Sequence, residues 1–289
     1  MTETVDVVAV IGAGFMGSGI AQSAAAAGKL VLLHEPSHEP LDRSRAALED
    51  ALERAVQRGR LSDGDAAATA ARITYTTALE DLAAAGAVIE AVYEDREIKR
   101  RLFALLDDAL PGAAFLASNT SSIRIEELAQ ATARPERVVG LHFFSPVAVM
   151  KLVEVVASAH TAPEIVAAAE TLAREIGKEP IRAPDRAGFI VNALLIPYLA
   201  DAIRMLEGGL ASAEDIDTGM TLGCAHPMGP LALCDFIGLD VIEAICVTLH
   251  EELSEARYAP PELLLRMVAE GRLGRKSGKG FYDHAGTAR

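Results

Sequence analysis

Apolar and polar residues alternate along this chain in blocks whose period keeps changing. Residues 5–11, VDVVAVI, form a short β-branched run that stops at Gly12. The next stretch, GAGFMGSGIAQSAAAAG, has helix-forming composition and ends at Gly28, and Leu30–Leu33 is a second apolar run closed by Glu35 and Pro36. A strand, a glycine turn, a helix and a second strand within about 30 residues make a βαβ unit, whose natural setting is a parallel sheet. From 41 to 72 the period is helical, with Leu41, Leu48, Leu52 and Val56 on one face; Gly59 and Gly64 split this arm into two helices joined by RGRLSDGD. Apolar runs return at 86–93, 113–117 and 138–144, the first two separated by a helical stretch containing Lys99, Leu102, Phe103 and Leu106. A strand at Lys151–Val156, a helix from Pro163 to Ile176 and a short segment at Pro180–Ala183 follow. From Phe189 onward the pattern is helical, with breaks at Gly208–Gly209, His226–Pro230 and Pro260–Pro261. The pattern predicts an α/β protein: a Rossmann-type, doubly wound, mostly parallel sheet over residues 1–185, then an all-α domain over 186–289.

Composition fits that picture. Of 289 residues, 51% are hydrophobic and 24% charged, an ordinary globular balance. No stretch approaches the ~18 consecutive apolar residues of a membrane span. Met1–Asp6 lacks the basic start of a secretory signal, so a cytoplasmic protein with no membrane partner is expected. The net charge of −14 argues against a nucleic-acid partner, although a local basic patch could still hold an anionic substrate. Cys224, Cys234 and Cys246 form no CxxC pair and are expected to be reduced, packed thiols, not a metal site.

Chemistry first surfaces at Gly12-Ala13-Gly14-Phe15-Met16-Gly17, which fits GxGxxG. In a dinucleotide site the first glycine permits the turn, the second lets a pyrophosphate approach the backbone, and the third packs helix on strand. Glycine-rich loops also occur as plain turns, but this one follows a strand and opens a helix. Gly12, Gly14, Phe15, Met16 and Gly17 are therefore cofactor-binding candidates. Glu35 lies 18 residues past Gly17 at the end of the second strand, where an acid takes the ribose hydroxyl and repels a 2′-phosphate. That favours NAD, although His34 and Arg43 beside it would tolerate NADP.

Of seven histidines, His142 is set apart by its place at the carboxyl end of an apolar run, where open α/β sheets put their sites. Glu154 lies 12 residues on. If the chain reverses near 145–150, the two face each other across an antiparallel pair, and the carboxylate can orient the imidazole as a base. Spacing alone leaves a merely structural pair equally open. Arg54 and Arg58, four apart on one helix face with Arg60 nearby, suit a phosphate-binding patch, but equally an ordinary solvated face.

Six segments together resemble the 3-hydroxyacyl-CoA dehydrogenase family, particularly its short bacterial 3-hydroxybutyryl-CoA members. They are GAGFMGSGIA at 12–21, LASNTSSI at 116–123, GLHFFSPVAVMKLVEV at 140–155, GFIVNALLIP at 188–197, HPMGPLALCDFIGLD at 226–240 and LGRKSGKGFYD at 273–283. The resemblance spans essentially the whole chain. It implies an NAD-dependent oxidoreductase of fatty-acid-type metabolism, acting on an acyl-CoA thioester and assembled as a homodimer through its helical domain. It makes His142 the catalytic base and Glu154 its partner, with Ser121 and Asn192 holding the substrate oxygen. Glu94, Lys99 and Asn119 fall on the nicotinamide side, and Arg54 and Arg58 near the coenzyme A nucleotide. LGRKSGKGFY lacks phosphate-loop spacing and is given a structural role, while Gly188 and the 184–188 turn are the expected hinge.

Three positions depart from the usual bacterial pattern: Ser145 for Asn, Ala193 for Arg and Asp95 for Asn. They put substrate identity in question. The resemblance reaches dehydrogenases that act on a hydroxyacyl group, such as glyceryl, held on an acyl carrier protein in polyketide extender-unit synthesis. A third reading, of another class, is a non-catalytic NAD-binding or structural protein; retention of His142, Glu154, Ser121 and Asn192 speaks against it.

Overall fold

Eight strands form one sheet: β1 (Val7–Ile11), β2 (Leu30–His34), β3 (Ile73–Thr76), β4 (Ala87–Glu90), β5 (Phe115–Ser118), β6 (Val138–Phe143), β7 (Leu152–Ala157) and β8 (Glu179–Pro184). The computed structural model describes residues 5–284 and orders them β3-β2-β1-β4-β5-β6-β7-β8. Neighbours run parallel except β6 and β7, which are antiparallel. The central strands read as unbroken apolar runs because both faces are covered: β4, β5 and β6 are buried at every position. On one face Val8, Val10, Ile89 and Phe115 pack with Ile20 and Ala24 of α1 (Phe15–Ala26) and with Val166 and Leu172 of α6 (Pro163–Glu175). Two further helices, α4 (Arg96–Ala109) and α5 (Ile125–Ala129), pack against each other and cover β5 and β6 respectively.

The arm is α2 (His38–Gln57) and α3 (Asp63–Ala71), and both pack against α1. Leu41, Leu48 and Leu52 are buried as the helical period requires, and Ser62 caps α3 by accepting from the Asp65 N–H. The edge strand β3 was not anticipated. Its four residues, ITYT, follow α3 without glycine or proline punctuation and become a strand by pairing with β2.

A second compact unit begins at Ala187, the first ending at Arg186. It contains α7 (Val191–Glu207), α8 (Ala213–Gly223), α9 (Pro230–Ile237), α10 (Leu239–Leu253) and α11 (Glu262–Ala269) around Leu199, Ile203, Leu231, Ile242 and Leu249. Residues 273–284 are stitched to α8 and α9 by two buried carboxylates. Asp235 accepts from the Phe281 and Tyr282 N–H groups at 2.8 and 2.9 Å, and Asp217 accepts from the Tyr282 hydroxyl at 2.8 Å. Cys234 and Cys246 are buried, and burial raises both thiol pKa values, that of Cys246 to about 11. Cys224 departs from the expected packing: it follows the end of α8 and is exposed.

Candidate active site

At the carboxyl end of β1, Gly12 donates its N–H to the His34 carbonyl at 2.8 Å, tying the turn to β2. Its φ is +103°, and a Cβ there would lie 2.7 Å from the Ala91 carbonyl oxygen; a Cβ on Gly17 would lie 1.9 Å from that of Gly12. The chain's own packing thus demands both glycines. Gly14 differs. It caps α1 with φ −73°, and a Cβ there would meet nothing within 4 Å. A side chain would fill that space, which lies before the unpaired N–H groups of the first turn of α1, where no acid is present. This cradle fits a pyrophosphate. Phe15 is exposed at its mouth, and Met16 packs half-buried against the sheet core.

Glu35 folds back on the loop, its Oε2 accepting from the Ala13 N–H at 3.2 Å. The acid is placed where a ribose hydroxyl would meet it. Of the two cations that left NADP open, His34 is compromised, since burial lowers its pKa; Arg43 is exposed, paired with Glu39 at the surface, and still available to a phosphate.

Beyond β4 lies a cluster of charge. The Lys99 ammonium is buried, 2.9 Å from Glu90 Oε1 and 2.8 Å from Glu94 Oε2. Glu90 also accepts from the Ser118 hydroxyl at 2.6 Å and the Val92 N–H at 2.7 Å. Glu94 Oε1 gathers the loop after β5, accepting from the Thr120 hydroxyl, the Ser121 N–H at 3.0 Å and the Ser122 hydroxyl at 3.1 Å, with Ser121 Oγ at 3.5 Å. Burial alone would raise the Glu94 pKa and lower that of Lys99. Their mutual attraction, joined by Glu90, outweighs it and holds Glu94 below and Lys99 above their ordinary values. The departure at Asp95 is locally neutral, since its side chain caps α4 by accepting from the Ile98 N–H at 2.9 Å, a role Asn fills equally well.

Asn119 joins this loop to the histidine strand: its Oδ1 accepts from the Phe143 N–H at 2.9 Å. In the β6–β7 ladder His142 stands opposite Glu154, and Nδ1 lies 2.7 Å from Glu154 Oε2, both residues buried. The Phe144 ring, 4.6 Å away between centroids and tilted 56°, packs against the imidazole. An acceptor at Nδ1 selects the tautomer whose Nε2 carries the basic lone pair.

Arg54 is exposed, paired with Asp50, and lines a cleft of about 470 Å³ with Gly14, Phe15 and Val147. Arg43 lines it too, which the sequence had not suggested for substrate. Arg58 does not; it is the C-cap of α2. Glu90 was also missed, although a lone acid within an apolar run is its visible signal. Asn192 is buried in the first turn of α7, in the second unit. Among the described residues, no group of three or more His, Cys, Asp or Glu could hold a metal ion, and no helix is long and apolar enough to cross a membrane.

Comparison with known proteins covers nearly the whole chain. Residues 7–186 match the 3-hydroxyacyl-CoA dehydrogenase NAD binding domain, and 188–284 match its C-terminal domain. A 3-hydroxybutyryl-CoA dehydrogenase of Mycobacterium tuberculosis is 47% identical over 286 residues, covering 98% of this chain and 100% of the relative. The human mitochondrial hydroxyacyl-coenzyme A dehydrogenase is 41% identical, covering 96% and 90%. The crystal structure of (S)-3-hydroxybutyryl-CoA dehydrogenase from Ralstonia eutropha superimposes with a TM-score of 0.92 at 41% identity, covering 97% of this chain and 99% of that one.

Proposed function

We propose that this chain, which belongs to the 3-hydroxyacyl-CoA dehydrogenase family, interconverts a 3-hydroxyacyl and a 3-oxoacyl thioester with NAD, the 3-hydroxybutyryl-CoA type being the substrate its relatives support best. The observation that carries this is the buried His142–Glu154 pair at the carboxyl end of a sheet whose first turn is an open phosphate cradle. When bound, NAD supplies a nicotinamide carbon that accepts hydride from C3 or returns it. The protein's part is to place the substrate and move the proton. In oxidation His142 takes the proton of the C3 hydroxyl at Nε2 while the C3–H pair leaves as hydride and the carbonyl forms. Glu154 stabilises the resulting imidazolium, and in reduction the proton returns. Ser121 is proposed to hold the reacting oxygen, so that the two transfers share one geometry.

Arg43 and Arg54 on the 470 Å³ cleft support a role for that cleft in holding the nucleotide end of coenzyme A. Exposed apolar side chains on the second unit, among them Met205, Leu210 and Leu222, support a homodimer, which sedimentation would test. The protein is proposed to act in the cytoplasm, in fatty-acid or butyrate-type metabolism. The substrate test follows NADH consumption with one acetoacetyl group on coenzyme A, on an acyl carrier protein and on pantetheine. Preference for coenzyme A is expected, and lost in part on Arg54→Ala. Turnover on the carrier protein alone would replace coenzyme A by the carrier as substrate.

A further inference from the structure

Glu90 has no part in the proton transfer or in the phosphate cradle, yet it is a fully buried carboxylate at the carboxyl end of β4. The chain leaves β1 toward β2 on one side and β4 toward β5 on the other, so the switch point of the sheet lies between β1 and β4. A dinucleotide lies across that point with one half on each side. Glu35 marks the adenosine side, and the other half falls over the ends of β4 and β5, where Glu90, Glu94 and the loop after Ser118 are placed.

The charges there do not cancel. Among the described residues, Lys99 is the one cation paired with this cluster, and it is joined to both Glu90 and Glu94. The remaining partners, the Ser118, Thr120 and Ser122 hydroxyls and the Val92 and Ser121 N–H groups, are neutral donors. The cluster carries a net charge of −1, part of it in a site shielded from water, where a charge is felt more strongly than in solvent. The oxidised nicotinamide ring carries a positive charge that the reduced ring lacks.

Resting on the dehydrogenase reading above, we infer that Glu90 is a positioning residue whose surplus negative charge in the Glu90–Lys99–Glu94 cluster sets the site's relative affinity for the oxidised over the reduced cofactor. Glu94, at the exposed rim, has the separate task of gathering the loop that bears Ser121.

Charge can be varied with the shape nearly kept. Glu90→Gln and Glu94→Gln each bring the cluster to zero, and adding Lys99→Met to Glu90→Gln returns it to −1. Calorimetric titration of the full chain with NAD⁺ and with NADH gives the ratio Kd(NAD⁺)/Kd(NADH). The ratio is expected to rise about tenfold in Glu90→Gln and to return to within about threefold of the wild type in the double variant. A purely structural role would leave the double variant more disturbed than Glu90→Gln alone. If Glu90→Gln does not fold, Glu94→Gln still reads the sign. A ratio that ignores charge, or a double variant that fails to return, overturns the inference. Wild-type protein that binds neither cofactor form would instead overturn the dehydrogenase reading.

Discussion

Two histidine–carboxylate pairs among the described residues have nearly equal length. His142 Nδ1 lies 2.7 Å from Glu154 Oε2, and His284 Nε2 lies 2.8 Å from Asp235 Oδ2. Their surroundings differ. Asp235 already accepts from the backbone of Phe281 and Tyr282, so its histidine closes a knot that fastens the C-terminal segment to α9. Glu154 faces His142 across a strand ladder at the end of the sheet where ligands bind, next to a loop pinned by Asn119. The contact alone therefore does not mark a catalyst. The difference lies in whether the carboxylate organises the imidazole or the backbone around it.

The sharpest way to break this comparison is to blunt each imidazole in turn. His142→Gln is expected to lower turnover by about a thousandfold with NADH affinity within about threefold, measured by steady-state kinetics and titration. His284→Gln should keep turnover within about twofold. Next in size, Glu35→Arg should move kcat/KM toward NADP by on the order of tenfold, leaving both histidine pairs untouched. His284→Gln should lower Tm by about 2–4 °C through loss of about 1 kcal/mol, seen by calorimetry. The smallest effect concerns acid. Glu94 is held below its ordinary 4.5 by Lys99, so its contribution to stability is present above that pH and fades as pH falls through the lower folded-state value. Being partly exposed, it contributes under about 1 kcal/mol. Glu94→Gln should therefore narrow its Tm gap to the wild type as the solution is acidified, and a gap constant with pH would contradict this.

What the sequence shows and hides follows from the range of the interactions. GxGxxG and Glu35 were legible because their geometry is local: a turn, a helix start and the end of the next strand. His142 and Glu154 were legible because a short reversal fixes the register over 12 residues. Glu90 is visible as a lone acid in GAVIEAVY, but its burial makes sense only once Lys99 and Ser118 arrive from α4 and β5. The role of His284 has no signal in the sequence because its partner lies 49 positions earlier. Strand β3 lacks flanking punctuation and owes its state to β2. The split of roles between Arg43 and Arg58 depends on where α2 meets the glycine loop, which spacing along the helix does not reveal.

The most direct measurement is a pair of double-mutant cycles, His142→Gln with Glu154→Gln and His284→Gln with Asp235→Asn, each read in both kcat and Tm. The first pair should couple in kcat, with the double variant little worse than His142→Gln alone. The second should couple in Tm while kcat stays within about twofold. Coupling of the first pair in Tm only, with turnover retained, would contradict the assignment of His142 and Glu154 to proton transfer.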